Sequence, residues 1–287
     1  MIKIWELPST EEMAVKYFQN FGIISSTKVC DNGHDMSIYG MKQWRCRSVH
    51  CAQRISIRKG TWFSGSKLPF TTTLRFIYCW SQNLTSIKWG KQQLDLSMKT
   101  VVDWNNFLRE MCARSILSKG KKKIGGPEKT VEIGESLFSK SKIQNSRLLS
   151  EQWILGGICR ETDECFVVAV SDREASTLLQ EIENNIEEES TIVSNCWKGY
   201  KAELRDANFE HFKVNHSYNF IDPYSDEHTQ HIERLWRSAK WQNKKHERFV
   251  QQHLDSYLYE FMWRHLHKEE DPFIAILNDI RDFSPLK

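Results

Sequence analysis

Apolar residues recur at helical spacing near the start of the chain. Met13, Tyr17, Phe18 and Phe21 fall on one face, with Ser9 or Thr10 placed to cap and Gly22 to stop. That spacing predicts a single short helix within residues 1–27. The period then breaks. Residues 28–64 are rich in Cys, His and Gly and alternate through Arg54-Ile55-Ser56-Ile57-Arg58, which predicts small strands and tight turns. Helical spacing returns over 65–117. Leu74, Phe76, Ile77 and Tyr78 suit a helix starting at Thr71–Thr73, and a second helix covers Thr85–Gln93. A third, capped by Ser97, runs through Val101, Val102, Trp104, Phe107, Leu108 and Met111.

The last two helices are joined only by Leu94-Asp95-Leu96-Ser97, as in a helix-turn-helix, although most short helix pairs bind nothing. Residues 118–130 (SKGKKKIGGPEKT) lose all apolar period and read as a basic linker. From Val131 the pattern is α/β. Strands are predicted at Val131–Phe138, Trp153–Cys159 and Cys165–Val170, the last two forming a hairpin across 160–164. Shorter strands follow at 191–194 and 212–214, with helices at 173–186, 228–245 and 253–267. The order β-β-β-α-β-α-β-α is that of a ribonuclease H-like core over 131–268: a mixed sheet with flanking helices. Residues 269–287 are read as a C-terminal tail.

Charge sharpens this division. Residues 1–127 hold 20 Lys and Arg against 8 Asp and Glu, a surplus of +12; the remainder holds 20 against 29, or −9. Such asymmetry predicts that the first half meets a polyanion. The start, MIKIWELPST, lacks the basic and apolar regions of a secretory signal. The longest apolar stretch, around Cys165–Val170, is too short to span a bilayer, so no membrane partner is expected. The eight cysteines are then expected as thiols or metal ligands in a reducing compartment.

Three of them, with one histidine, have metal-ligand spacing. Cys30-x3-His34 and Cys46-x4-Cys51 form two close pairs suited to tetrahedral zinc, with His50 an alternative to His34. A module this small buries little apolar surface, so bound metal would carry much of its folding energy. The other reading is scattered core cysteines. Candidate DNA contacts are Arg45, Arg47, Arg54, Arg58 and Lys59 in the ribbon, Lys99 in the helical segment, and Lys121, Lys122 and Lys123 in the linker. The lysine run also suits a nuclear-localisation signal, or a solvated linker.

Several stretches carry a family likeness: GHDM (33–36), WRC (44–46), IRKGTWF (57–63), KLPF (67–70), TVVDWNNFLRE (100–110), VEIGESLFSK (131–140), TIVSNCWKGY (191–200) and HTQHIERLWRSAK (228–240). The chain resembles transposases of the Merlin group, relatives of bacterial insertion-sequence transposases, over residues 30–267. The resemblance implies an N-terminal zinc ribbon, a helical DNA-binding segment and a ribonuclease H-like core of the DDE type. It also implies double-stranded DNA as partner, a homodimer, and location in the nucleus. Three carboxylates of such cores hold two Mg²⁺ ions about 3.5–4 Å apart. The ribbon departs from the usual C-x2-C first pair, because position 33 is Gly.

Measured against that pattern, the triad is broken. The first Asp, in Val-Glu-Ile-Asp-Glu, is Gly134; the second, in Ser-Asp-x-Trp, is Asn195; the third carboxylate, Glu233, is retained. Side chains alternate along a strand, so Glu132 shares a face with Gly134 but sits roughly 6.6 Å along it. The expectation is a transposase-derived DNA-binding protein, inactive as an enzyme, with structural zinc and without Mg²⁺. The alternatives are an active Mg²⁺-dependent nuclease using displaced acidic ligands, and a protein-interaction module that kept the fold.

Overall fold

The computed structural model describes residues 3–118, 120, 122–139, 142–144, 147–149, 151–195, 208–214, 227–245 and 254–283. In chain order its helices are α1 (Glu11–Asn20), α2 (Phe70–Ser81), α3 (Ile87–Leu94), α4 (Met98–Ser118), α5 (Ala175–Asn185), α6 (Gln230–Lys245), α7 (Leu254–Leu266) and α8 (Pro272–Phe283). Its strands are β1 (Met36–Tyr39), β2 (Gln43–Cys46), β3 (Arg54–Ser56), β4 (Ile124–Gly125), β5 (Thr130–Ser139), β6 (Lys142–Gln144), β7 (Arg147–Leu149), β8 (Gln152–Cys159), β9 (Cys165–Val170), β10 (Ile186–Glu187), β11 (Thr191–Asn195) and β12 (Glu210–Val214). The helix expected between the last two strands falls on 196–207, outside the described residues. The chain divides into two compact units: residues 1–115 with 267–287, and residues 116–266. Among the described residues no helix is long and apolar enough to cross a membrane.

In the first unit, Thr10 caps α1 by accepting from the Met13 N–H at 3.2 Å. Ala14, Val15 and Phe18 are buried, and Phe18 meets Phe63 and Phe70 at ring separations of 4.7 and 5.9 Å. Helix α2 starts after Pro69, which brings no capping side chain. Glu11, 60 residues earlier, does that work: its carboxylate accepts from the Phe70 and Thr71 N–H groups at 3.0 and 2.8 Å. Burial pushes the Glu11 carboxyl up, but the bonds from Thr71 and Phe70 outweigh it and the net shift is downward. Ser86 caps α3 and Ser97 caps α4, the latter as expected. Asp95 closes α3 in the left-handed conformation, and Val101 of α4 packs against Gly90 of α3, where a side chain would collide.

The expected tail is corrected here. Residues 272–283 form α8, with Phe273, Ile276, Leu277 and Ile280 fully buried. Phe273 packs on Tyr17 and Tyr78, and Asp279 accepts from the Ser115 hydroxyl at 3.0 Å. Residues 272–283 therefore belong to the core of the N-terminal unit.

The second unit holds a five-stranded sheet of order β12-β11-β5-β8-β9. Strands β5, β8 and β9 are antiparallel neighbours, while β11 runs parallel to both β5 and β12. This is the ribonuclease H-like arrangement that the element order predicted. Side-chain alternation splits β8, putting Leu155 with Val131, Ile133 and Leu178 on one face, and Ile154 and Ile158 with Ile232, Leu235 and Phe261 on the other. Helix α5 covers the first face; α6 and α7 cover the second. The stretch read as a linker contains β4, which pairs with β10 through Ile124 and Ile186, both buried.

Candidate functional site

Strand β5 presents alternate residues to the two faces, and this sets the site. Val131 and Ile133 point into the α5 side. Glu132 and Gly134 point to the α6 side, where a Cβ added at Gly134 would lie 3.1 Å from Trp236 Nε1 and 3.2 Å from Ile232 Cγ1. Gly134 pairs across the sheet with Gly156, and the Trp236 ring lies over this two-glycine floor. Strand β11 runs beside β5 with Ser194 opposite Ile133, so Asn195, at its end, follows beside Gly134. Glu233 sits exposed in the first turn of α6. Gly134 thus lies on β5, Asn195 on the neighbouring parallel strand, and Glu233 one residue after Ile232, which packs at position 134. Among them only Glu233 carries a charge.

Glu132 occupies a different setting. Its side chain is fully buried, and its Oε1 accepts from Arg160 Nε at 2.8 Å and pairs with His231 Nδ1 at 2.8 Å. Its Oε2 accepts from the His231 and Ile232 backbone N–H groups at 2.8 and 3.1 Å. It thus caps α6 from a neighbouring strand, where the helix dipole also favours a negative charge. Arg160 is held in turn by Glu227 at 2.7 Å and by the His228 carbonyl at 2.5 Å. Burial lowers the Arg160 guanidinium, but Glu132 and then Glu227 outweigh it and the net shift is upward. His228 Nδ1 lies 3.3 Å from the same Glu132 Oε1. Sequence reading weighed Glu132 only as a displaced carboxylate and missed this cluster; the pair His228-x2-His231 just before Glu233 was the available signal.

Asp172 accepts from the Glu174 N–H at 2.9 Å ahead of α5, which holds its carboxyl below the ordinary range. That fits capping. Glu135, on the opposite face from Glu132, pairs with Arg173.

The ribbon is the antiparallel sheet β1-β2-β3. Cys30 and His34 lie on the loop before it, and Cys46 and Cys51 flank the turn after β2. One ligand atom from each of the four falls within 4.8 Å of the others. Cys30 Sγ is 3.8 Å from both Cys46 Sγ and Cys51 Sγ, and 3.5 Å from His34 Nδ1. A tetrahedron with Zn–S of about 2.3 Å has S–S edges of about 3.8 Å and N–S edges of about 3.5 Å. The set fits zinc without rearrangement. His50 is exposed and outside it. The Cys51 thiol is lowered to about 6, first by the Gln53 backbone N–H and then by His34.

Arg45, Arg47, Arg54, Lys59 and Lys99 are exposed, as a phosphate-contacting set requires. Arg45 and Arg54 stand directly opposite each other on β2 and β3. Arg58 departs from expectation. Its guanidinium lies 3.7 Å from the Phe70 ring centre and donates to the Leu68 carbonyl, and burial lowers it. It braces the fold instead of facing solvent. Lys122 pairs with Glu164 at 2.6 Å, Lys123 is half-buried, and Lys121 lies outside the described residues.

A five-stranded mixed sheet of this order with helices on both faces is a ribonuclease H-like fold. The ISXO2-like transposase domain model matches residues 119–265, just over half of the chain, and the chain belongs to that family. An uncharacterized transposase-like protein of Haemophilus influenzae is 27% identical over 115 residues, covering 40% of this chain and 91% of that protein. Male abnormal protein mab-31 of Caenorhabditis elegans is 24% identical over 161 residues, covering 48% of this chain and 37% of that one. Among solved structures, the simian T-cell lymphotropic virus intasome gives a TM-score of 0.33 at 12% identity, covering 50% of each chain. The pre-cleavage Mos1 transpososome gives 0.29 at 13%, covering 74% of this chain and 78% of that one. Likenesses this low do not bear on the function of the chain.

Proposed function

We propose that this chain is a DNA-binding protein derived from a transposase of the Merlin kind, that its ribbon holds a structural zinc ion, and that its core no longer cleaves DNA. The observation that carries the loss is position 134. Trp236 Nε1 is buried without a hydrogen-bond partner among the described residues, and it lies 3.1 Å from where a side chain at 134 would begin. An unsatisfied buried donor costs about 1–3 kcal/mol. An aspartate at 134 would set an acceptor beside that donor; glycine leaves it orphaned. Gly134 offers no ligand, Asn195 offers at most a neutral amide, and Mg²⁺ requires hard anionic oxygens. These residues do not fit a two-Mg²⁺ site. Glu132 does not replace the missing aspartate, because it sits two residues, roughly 6.6 Å, along β5 from position 134 and its carboxylate is turned to Arg160 and the start of α6.

The full-length protein with Mg²⁺ or Mn²⁺ and end-labelled duplex DNA should show nicking at the background rate only. Metal-dependent nicking that disappears in Glu233→Gln would overturn the reading.

The binding half of the proposal rests on the Arg45–Arg54 pair. Like charges directly opposite on neighbouring strands destabilise a sheet, and neither guanidinium has a carboxylate partner among the described residues. A phosphate backbone relieves that repulsion. Duplex affinity measured by fluorescence anisotropy should fall with salt. The log–log slope should become shallower by about 0.9 for each phosphate contact removed when Arg45 and Arg54 are changed to Ala. An unchanged slope would place the DNA elsewhere.

A further inference from the structure

We infer that Glu132, His228 and His231 form a second metal site, for a divalent transition ion of the Zn²⁺ or Co²⁺ class, independent of the lost Mg²⁺ chemistry. One ligand atom from each falls within 4.8 Å of the others. Both imidazoles turn Nδ1 toward one oxygen, Glu132 Oε1, at 3.3 Å for His228 and 2.8 Å for His231. That oxygen already accepts from Arg160 Nε. His231 pairs with that oxygen, and His228 Nδ1 is left buried with no hydrogen-bond partner among the described residues. The His228 contact makes no hydrogen bond in this arrangement, and a cation between the three atoms would serve all of them.

The dimensions agree. With Zn–N of about 2.0–2.1 Å and Zn–O of about 2.0–2.2 Å, a tetrahedral N–O edge is about 3.3–3.5 Å. The His228 contact already has that length, and the His231 contact opens by about half an ångström. The donor set is two imidazoles and one carboxylate, which suits zinc, cobalt or nickel and disfavours Mg²⁺. Charge also favours it: Glu132, Arg160 and Glu227 sum to −1 with both histidines neutral. The carboxylate is buried while the His228 and His231 side chains are 25% and 35% exposed, so the ion enters from the imidazole side and keeps an open coordination position there. Arg160 and the α6 amides, already bonded to Glu132, orient the carboxylate as outer-shell partners do in metal sites. Bound metal would fasten the start of α6 to β5.

Cobalt titration of the metal-stripped full-length protein separates this site from the ribbon. Thiolate ligation gives Co²⁺ a near-ultraviolet charge-transfer band, and a two-histidine, one-carboxylate site gives none. The wild-type protein should take up two equivalents, only one of which builds the band. His228→Asn and His231→Asn, each checked for native far-ultraviolet circular dichroism, should take up one equivalent with the band intact. His228→Gln serves as a second variant should either fail to fold. Uptake of a single band-building equivalent by the wild type, or an undiminished second equivalent in the folded histidine variants, would overturn the inference. A lone equivalent without the band would instead count against the ribbon site and leave this one standing.

Discussion

Glu132→Ala should destabilise the 116–266 unit by about 3–5 kcal/mol, the range for removing one partner of a buried ion pair. The substitution leaves the half-buried Arg160 without its nearest anion and opens the first turn of α6 at two backbone N–H groups. In a unit of this size that loss lowers the melting temperature by on the order of 10 °C. Urea unfolding followed by tryptophan fluorescence measures it. Glu132→Gln keeps an acceptor oxygen but not the charge, and should cost distinctly less. A change under 1 kcal/mol in the alanine variant would mean that the network contributes little. The prediction matters for function because Glu132 fastens β5 to α6, the two elements that carry Gly134 and Glu233.

Cys46→Ala should remove the ribbon's zinc and, with it, the folded state of residues 28–64. Four residues holding zinc would supply this module with order that its short strands cannot: β1, β2 and β3 have four, four and three residues, and few side chains are buried between them. Structural zinc in comparable small modules contributes on the order of 10 kcal/mol at neutral pH. One zinc per chain should be lost by elemental analysis, and limited proteolysis should open the 28–64 segment. Duplex binding should weaken in parallel, since β2 and β3 hold Arg45 and Arg54 side by side. His50→Ala should leave zinc content unchanged, because His50 stands outside the cluster; an equal loss in both variants would reassign the fourth ligand.

Much of the core was legible because its signals are local. The hairpin Trp153–Val170 shows as two apolar runs around a polar turn, and Ser97 announces α4 within three residues of the bond it makes. The metal pairs were legible for the same reason, except that His34 and His50 have similar spacing and only the fold separates them. What stayed hidden depends on residues far apart in the chain. Arg160, His228 and His231 reach Glu132 across 28 to 99 positions, with Glu227 behind Arg160, and no short pattern encodes that convergence. Strand β4 was lost in a lysine- and glycine-rich stretch because its partner β10 lies some 60 residues on. Arg58 looked like a solvent-facing cation until Phe70 and Leu68 came to it. Helix α8 read as a tail although it has apolar helical spacing of its own, since nothing nearby in sequence told what it would pack against.

The return of α8 to the first unit makes the catalytic-type unit an insertion within the other. On the ribosome, the ribbon-bearing unit must wait for residues 267–283, so the inserted unit can complete its sheet first. A fragment ending before Asp271 would lack Phe273 and Asp279, and with them the packing on Tyr17 and Tyr78 and the bond to Ser115. The ribbon-bearing unit is therefore not separable by a single cut: any minimal version must bring residues 1–115 and 267–283 together across a new connection.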